Sequence, residues 1–435
     1  MDFQIAILLV SFLALLFMNV PIAICIAVAS MLTMYTIPAL PVEYLTAQRL
    51  ANGIASFPLL AIPFFILAGI LMGEGGMARR LMRFADWLVG GLRGGLCYVN
   101  TTTCMLFGAV SGSASAAVSS VGTFMIPEME RNGYRKEFSV ALTTTSATTG
   151  LLIPPSNIMI VFAVVSGNVS VAALFFAGVL PGILMGSLLM LAAFLFHTAR
   201  KGETGEKRRE TALSMGERIR IVGGAVPTLL LMVIILGGIL GGVFSATEAS
   251  AIAVLYAAFT GIVVHREIPL RSLPGILEKA AKTNAVVMFL IGSSQLMSWI
   301  LAHEQIPAGV SEAMLGLTDN PVFLLILINL ILLFVGVFMD MTPAVLIFTP
   351  ILLPVALSIG IDPLHFGVLM ITNLCIGLCT PPVGTCLFVG CSVGKTTLTD
   401  VIPSLIPLFV AMILGLLAIS FLPQLSLWLP GILGF

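Results

Sequence analysis

Charge is what this sequence has least of. Asp, Glu, Lys and Arg make up 9% of its 435 residues, against about 25% in soluble domains. So few ionised groups cannot solvate a water-facing surface, which excludes a soluble multidomain enzyme. A disordered chain is excluded too: disorder needs low hydrophobicity and high net charge, whereas 59% of these residues are hydrophobic and the formal net charge is zero. With 20 basic and 20 acidic residues there is no basic surface for nucleic acid. The seven cysteines form no CxxC pair and sit in apolar runs, as small buried hydrophobes do. HExxH, GxSxG and Walker patterns are missing, and no nucleophile–base or metal-ligand set lies at depth, so an intramembrane enzyme finds no support. A cleaved secretory signal is not expected, because Asp2 stands where a basic segment should be. What the chain does have is repeated apolar runs of about 20 residues, which cross a bilayer as helices.

Those runs, read against the breakers between them, predict spans at 3–18, 20–37, 57–73, 138–166, 170–198, 221–243, 246–264, 283–301, 364–392 and 401–422. Two further segments, 95–127 and 321–354, are too long for one span and too short for two. Each is interrupted near its middle, by Ser111-Gly112-Ser113 and by Asp340-Met341-Thr342-Pro343. Re-entrant hairpins fit that pattern, since irregular backbone at membrane depth must face protein or a water-filled cavity. On this scheme 19 of the 20 Lys and Arg residues fall on one side and only Arg49 on the other. Positive charge collects on the cytoplasmic side. The first hairpin then opens to the cytoplasm, the second to the periplasm, and both termini are external. The four histidines and three tryptophans fall at span ends, where interfacial positions are expected.

Shifting the chain by 227 residues aligns Leu106–Gly167 with Leu333–Gly394 without a gap, and six of the identities are breakers: Pro127/Pro354, Gly133/Gly360, Gly150/Gly377, Pro154/Pro381, Pro155/Pro382 and Gly167/Gly394. The expected organisation is two inverted repeats, 1–220 and 221–435, each with a hairpin and a broken helix. Paired Gly/Pro-interrupted helices in inverted halves point to secondary transport. Two consecutive prolines remove two N–H donors and free carbonyls upstream. Those carbonyls can coordinate a cation, while the new half-helix N-terminus offers N–H groups to an anion.

Asp340 is the only acidic residue at a hairpin tip. An unpaired carboxylate at that depth costs several kcal/mol, so it either joins a cation site beside the second break or caps the hairpin's second arm with Thr342. Its counterpart in the first half is Ser113. Ser111 and Ser113 suit coordination as well as close packing. Of the threonines leading into the first break, Thr148 and Thr149 stand nearest to it. Glu248 reads as a helix cap or an interfacial residue.

Several stretches together make the chain resemble the large membrane subunit of tripartite ATP-independent periplasmic (TRAP) transporters, of the ion transporter superfamily. They are Ser56-Phe-Pro-Leu-Leu-Ala-Ile-Pro-Phe-Phe65, Ser111-Gly-Ser113, Ile153-Pro-Pro-Ser156, Gly242-Val-Phe-Ser-Ala-Thr-Glu248, Met339-Asp-Met-Thr-Pro343 and Thr380-Pro-Pro-Val-Gly384. The resemblance implies sodium-driven uptake of an organic anion, a carboxylate or acidic sugar, across a bacterial inner membrane. It implies a periplasmic substrate-binding protein and a separate small membrane subunit of about four helices as partners. It also implies a scaffold with an elevator-type transport domain, and no cofactor beyond sodium as coupling ion. Sodium ligands are then expected among Ser111, Ser113, Thr149, Gly150 and Pro154, and among Asp340, Thr342, Gly377 and Thr380. The substrate contacts are expected at Ser113, Ser156, Asn157, Thr342 and Thr385. The alternative is a stand-alone sodium- or proton-coupled symporter of the same superfamily that needs no binding protein.

Overall fold

The computed structural model describes residues 2–18, 20–92, 94–167, 169–199, 214–318, 320–381 and 384–435, and these fold as helices with no strand among them. Arg93, the basic positions Arg200, Lys201, Lys207, Arg208 and Arg209, and Pro382 of the second break lie outside the described residues. Among the described residues eight helices are long and apolar enough to cross a membrane, or nine when the bent pair Lys136–Leu152 and Asn157–Ser166 is taken as one span. The first expected span forms a helix at Asp2–Phe17, shifted by one residue, and the second is shorter, at Ile22–Tyr35. The span expected at 283–301 is longer, running Leu273–His303 for 31 residues.

Helix starts follow local chemistry. Ser214 and Ser245 each form a capping box, with Glu217 and Glu248 respectively, so two orphan donors are satisfied at each start. Glu248 is therefore a cap.

Four short helices lack a span signature and were not expected: Val42–Ile54, Met77–Val89, Ile306–Leu317 and Gln424–Leu433. Met77–Val89 buries Met77, Ala78, Leu81 and Ala85 on one stripe. Its Arg80 pairs with Glu267 at 2.7 Å, and nearby Glu74 pairs with Lys279 at 3.4 Å. These ion pairs tie Met77–Val89 to Glu267 and the end of Ala61–Glu74 to Leu273–His303. At the far end of Leu273–His303, Arg49 lies over the Trp299 ring, 5.8 Å from its centroid. His365 is not interfacial: it is buried, with Nδ1 3.2 Å from Ser426 Oγ, because the C-terminal helix Gln424–Leu433 covers it.

The first hairpin pairs Gly95–Ser111 with Ala114–Arg131 across Gly112, whose φ of 61° is left-handed. The second pairs Pro321–Phe338 with Met341–Ser358 across Met339 and Asp340. The first broken helix runs Lys136–Thr149, tightens to a 3₁₀ turn at Gly150–Leu152, and restarts at Asn157–Ser166 bent by 46°. The second runs Pro363–Gly377 and restarts at Thr385–Gly394.

Each hairpin's leading arm touches the broken helix of its own half at a pair of glycines. A Cβ on Gly150 would lie 2.7 Å from Gly108 Cα, and one on Gly377 would lie 2.5 Å from Gly336 Cα. Buried polar side chains clamp the same pairs. Asn100 Nδ2 donates to Thr143 Oγ1 at 2.7 Å, and Thr101 and Ser146 share a bond at 3.0 Å. In the other half Asn373 Nδ2 donates to Asn329 Oδ1 at 2.5 Å, and Asn329 Nδ2 in turn ties the arm to Leu398–Phe421 through Ser420 Oγ at 3.1 Å. The trailing arms cross over: Ala114–Arg131 packs on Thr385–Gly394, and Met341–Ser358 on Asn157–Ser166. Phe162 meets Phe366 at 6.2 Å between centroids, and Cys375 Sγ donates to Thr148 O at 3.2 Å.

The glycine contacts make a prediction. Gly377→Ala pushes a methyl into backbone that cannot yield as a side chain can, at a cost of about 1–3 kcal/mol. Gly309→Ala, where a Cβ meets nothing within 4 Å, is the matched control. Thermal unfolding in detergent should show a lower midpoint for Gly377→Ala only, and equal midpoints would remove the close approach from the account of stability.

Candidate functional site: a cavity at four helix starts

Four helices begin at one place. Ser113 caps Ala114–Arg131 by accepting from Ala116 N at 3.3 Å. Asp340 Oδ1 accepts from Met341 N at 2.9 Å at the start of Met341–Ser358. The half-helices Asn157–Ser166 and Thr385–Gly394 start at Ser156 and Gly384 with no side-chain cap. The reason is local in each case. Pro154 and Pro155 carry no N–H, and the chain runs extended through Ile153 and Ser156 before it can turn helical again. At the second break Gly384 N bonds back to Thr380 O at 3.1 Å, which closes a turn before the helix restarts.

First-turn residues of all four helices line one cavity of about 490 Å³: Ala114 and Ser115, Asn157 and Ile158, Met341 and Thr342, Thr385 and Cys386. Ser113 and Asp340 join them from the hairpin tips, and Ile62, Ile66, Thr283, Val286 and Val287 form the facing wall. Among the described lining residues Asp340 is the only acid, and none is Lys or Arg. The first N–H groups of a helix have no partner within it, and the helix dipole adds partial positive charge there. Four such ends create a positive field without a basic side chain. A carboxylate or sulfonate fits it, as anions fit helix N-termini generally.

Five residues singled out from the sequence line this cavity: Ser113, Asn157, Asp340, Thr342 and Thr385. The others stand behind it. Ser111 is buried and donates to Ser113 O at 3.4 Å. Thr148, Thr149 and Thr380 bond back to their own helices, to Thr145 O at 2.9 Å, Ser146 O at 2.7 Å and Ile376 O at 2.8 Å. Ser156 is fully buried, and its hydroxyl has no partner among the described residues, nor has Asn157 Oδ1. Gly150 and Gly377 are held against the hairpin arms, so Ser111 and Asp340 stand about one turn beyond those contacts. Thr283 and Ser115 complete the polar lining. Neither stands among the site residues expected from the sequence, because a lone hydroxyl in an apolar run carries no signal of the direction it faces. No group of three His, Cys, Asp or Glu suited to a metal occurs among the described residues.

A helical membrane protein with broken helices around a central cavity is the architecture of a transporter. Its fold is similar to the YdaH transporter of Alcanivorax borkumensis, with a TM-score of 0.65 and 16% identity, covering 92% of this chain and 90% of that one. It is also similar to MtrF of Neisseria gonorrhoeae, with a TM-score of 0.62 and 12% identity over 92% of this chain and 93% of the other. At such identities the likeness concerns the fold alone. The sequence is decisive. Residues 9–425 match the family described as the DctM component of the tripartite ATP-independent periplasmic transporter. The chain is 45% identical to YgiK of Salmonella typhimurium over 99% of both proteins. It is 40% identical to the sialic acid TRAP transporter large permease SiaM of Vibrio cholerae over 96% of both. To the C4-dicarboxylate TRAP transporter large permease DctM of Rhodobacter capsulatus it is 37% identical, over 97% of this chain and 98% of that one. The chain belongs to the TRAP transporter large permease family. It is a multi-pass membrane transport protein, not an enzyme, and its family works with a small membrane subunit and a periplasmic binding protein.

The cavity's accessibility can be measured. With Cys386 replaced by Ser, a Thr385→Cys thiol should react with a small water-soluble methanethiosulfonate, whereas Thr349→Cys, at a position with no exposure, should not. Equal labelling of both would mean that the lining assignment is wrong.

Proposed function

We propose that this chain is the permease subunit of a sodium-coupled secondary transporter that imports an organic anion delivered by a periplasmic binding protein. The observation that carries the proposal is the meeting of four helix starts on a cavity lined by Asp340 and by no Lys or Arg. Helix N-termini attract the anion, but the carboxylate of Asp340 opposes it at close range. A bound cation beside Asp340 removes that opposition, so anion and cation favour each other's binding. That is a physical basis for coupling.

Sodium is a hard cation suited to carbonyl and hydroxyl oxygens, and each break offers such a set: Ser111, Ser113, Thr149, Gly150 and Pro154 in the first half, Asp340, Thr342, Gly377 and Thr380 in the second. The substrate then lies between them against Ser113, Ser156, Asn157, Thr342 and Thr385. In this reading the halves 1–220 and 221–435 are inverted repeats with the hairpins re-entrant from opposite faces. Both chain termini are periplasmic. The hairpins and broken helices move as one body against the remaining helices, as an elevator. A stand-alone symporter is disfavoured by the relatives: the proteins from Vibrio cholerae and Rhodobacter capsulatus are named as TRAP permeases. The isethionate permease of Oleidesulfovibrio alaskensis, 39% identical, is half as long again, with this chain matching 65% of it.

The test compares thermal stability in sodium and in potassium at equal ionic strength. A ligand of the native state stabilises by RT ln(1 + [L]/Kd), so 100 mM sodium on a millimolar site adds roughly 2–3 kcal/mol. The gain should be specific to sodium, vanish in Asp340→Ala, and persist in Asp362→Ala, which alters only a helix cap. Identical stability in the two salts would remove sodium coupling from the reading. In proteoliposomes holding all three components, uptake should lose its sodium dependence in Asp340→Ala.

A further inference from the structure

The two walls of the cavity differ in chemistry. Hairpin tips and half-helix starts supply donors on one side. The facing wall comes from the helices Ala61–Glu74 and Leu273–His303 through Ile62, Ile66, Thr283, Val286 and Val287. Thr283 is the single polar side chain in that group. Its Oγ1 donates to Lys279 O at 3.0 Å, the usual back-bond of a helical threonine. A hydroxyl has one proton and two lone pairs, so with its proton engaged Thr283 presents only acceptor capacity to the cavity. No packing contact needs that hydroxyl, because its bond stays within its own helix. The next residue, Asn284, is different: its Nδ2 reaches Pro63 O at 3.4 Å on the neighbouring helix and ties the wall together.

We infer that Thr283 is a specificity-determining residue that accepts a hydrogen bond from the transported anion, so that the substrate carries a hydroxyl or N–H group besides its acid group. The inference rests on the reading of the cavity as the substrate site. An acid group pointed at Thr283 would set acceptor against acceptor, whereas the opposite wall supplies donors. The substrate is therefore oriented with its acid toward Ser113, Asn157 and Thr385 and its donor toward Thr283. Val286 and Val287, three and four residues further along the helix, lie on the same face and cover the carbon skeleton. A simple alkanoate satisfies the donor wall and leaves the Thr283 lone pairs without a donor.

The experiment uses the full chain with its small membrane subunit, in sodium, and measures affinity by calorimetry for matched pairs of anions. These are isethionate with ethanesulfonate, malate with succinate, and gluconate with hexanoate. A neutral hydrogen bond is worth about two- to tenfold in affinity. The hydroxylated member of at least one pair should bind tighter by such a factor. That preference should fall to about one in Thr283→Val and survive in Thr283→Ser, a contrast that a purely structural role does not produce. A preference unchanged in Thr283→Val, or tighter binding of the unhydroxylated members, would overturn the inference and leave the anion site standing. If none of the six anions binds to the wild-type protein, the reading of the cavity fails, and this inference with it.

Discussion

Everything in this structure turns on what becomes of backbone polar groups where a helix stops inside an apolar protein. A helix interior satisfies its own N–H and C=O groups, and so it can cross a bilayer. A break exposes several at once. Here two breaks and two hairpin tips are brought to one point, so their exposed groups face one cavity and not lipid. The cost is the loss of helical bonds at Gly150–Pro155 and around Thr380–Gly384. It is offset by dense packing immediately behind: the glycine contacts Gly108–Gly150 and Gly336–Gly377, and the clamps Asn100–Thr143 and Asn373–Asn329.

The two halves resemble each other without being equal. Ser113 and Asp340 are counterparts, and each caps the trailing arm of its hairpin. Only the second carries charge. In the first half the break is preceded by a threonine run whose hydroxyls are spent on their own helix, as with Thr144, Thr145, Thr148 and Thr149. In the second half buried thiols occupy part of that layer, with Cys375 and Cys379 donating to Thr148 O and Thr144 O. In the proposed reading a cation would therefore meet a formal negative charge beside one break and dipoles alone beside the other.

How much of this was legible in the sequence follows from what leaves a pattern. Long apolar spans leave one, and so do double prolines: helices are interrupted after Thr149 until Asn157 and after Gly377 until Thr385. The short helices were missed because their signal is different. Met77–Val89 is amphipathic rather than apolar, and in a chain read for spans its arginines look like a loop. His365 was placed at an interface because nothing in 363–377 shows that a later helix folds over it. Thr149 and Thr380 were candidates by proximity to a break, but helical threonines bond to the preceding turn, and only coordinates reveal which ones do.

The crossed packing of the trailing arms constrains any motion. Ala114–Arg131 lies against Thr385–Gly394, and Met341–Ser358 against Asn157–Ser166. Glycines bring these helices close: a Cβ on Gly122 would lie in ordinary contact, 3.4 Å from Val393 Cγ1, and one on Gly390 would collide with Thr144 Oγ1 of Lys136–Thr149. Neither half can shift alone without opening these contacts, so hairpins and half-helices form one packed unit. The other wall, from Ala61–Glu74 and Leu273–His303, meets that unit across the cavity through Ile62, Ile66, Val286 and Val287. Smooth aliphatic side chains hold no fixed register, whereas the polar clamps inside the unit do. In the proposed sliding motion the boundary would lie along this aliphatic wall, where no hydrogen bond joins the two sides at the cavity among the described residues, and where Gly69, whose Cβ would lie 2.7 Å from Ser111 O, lets the wall pack closely on the hairpin tip.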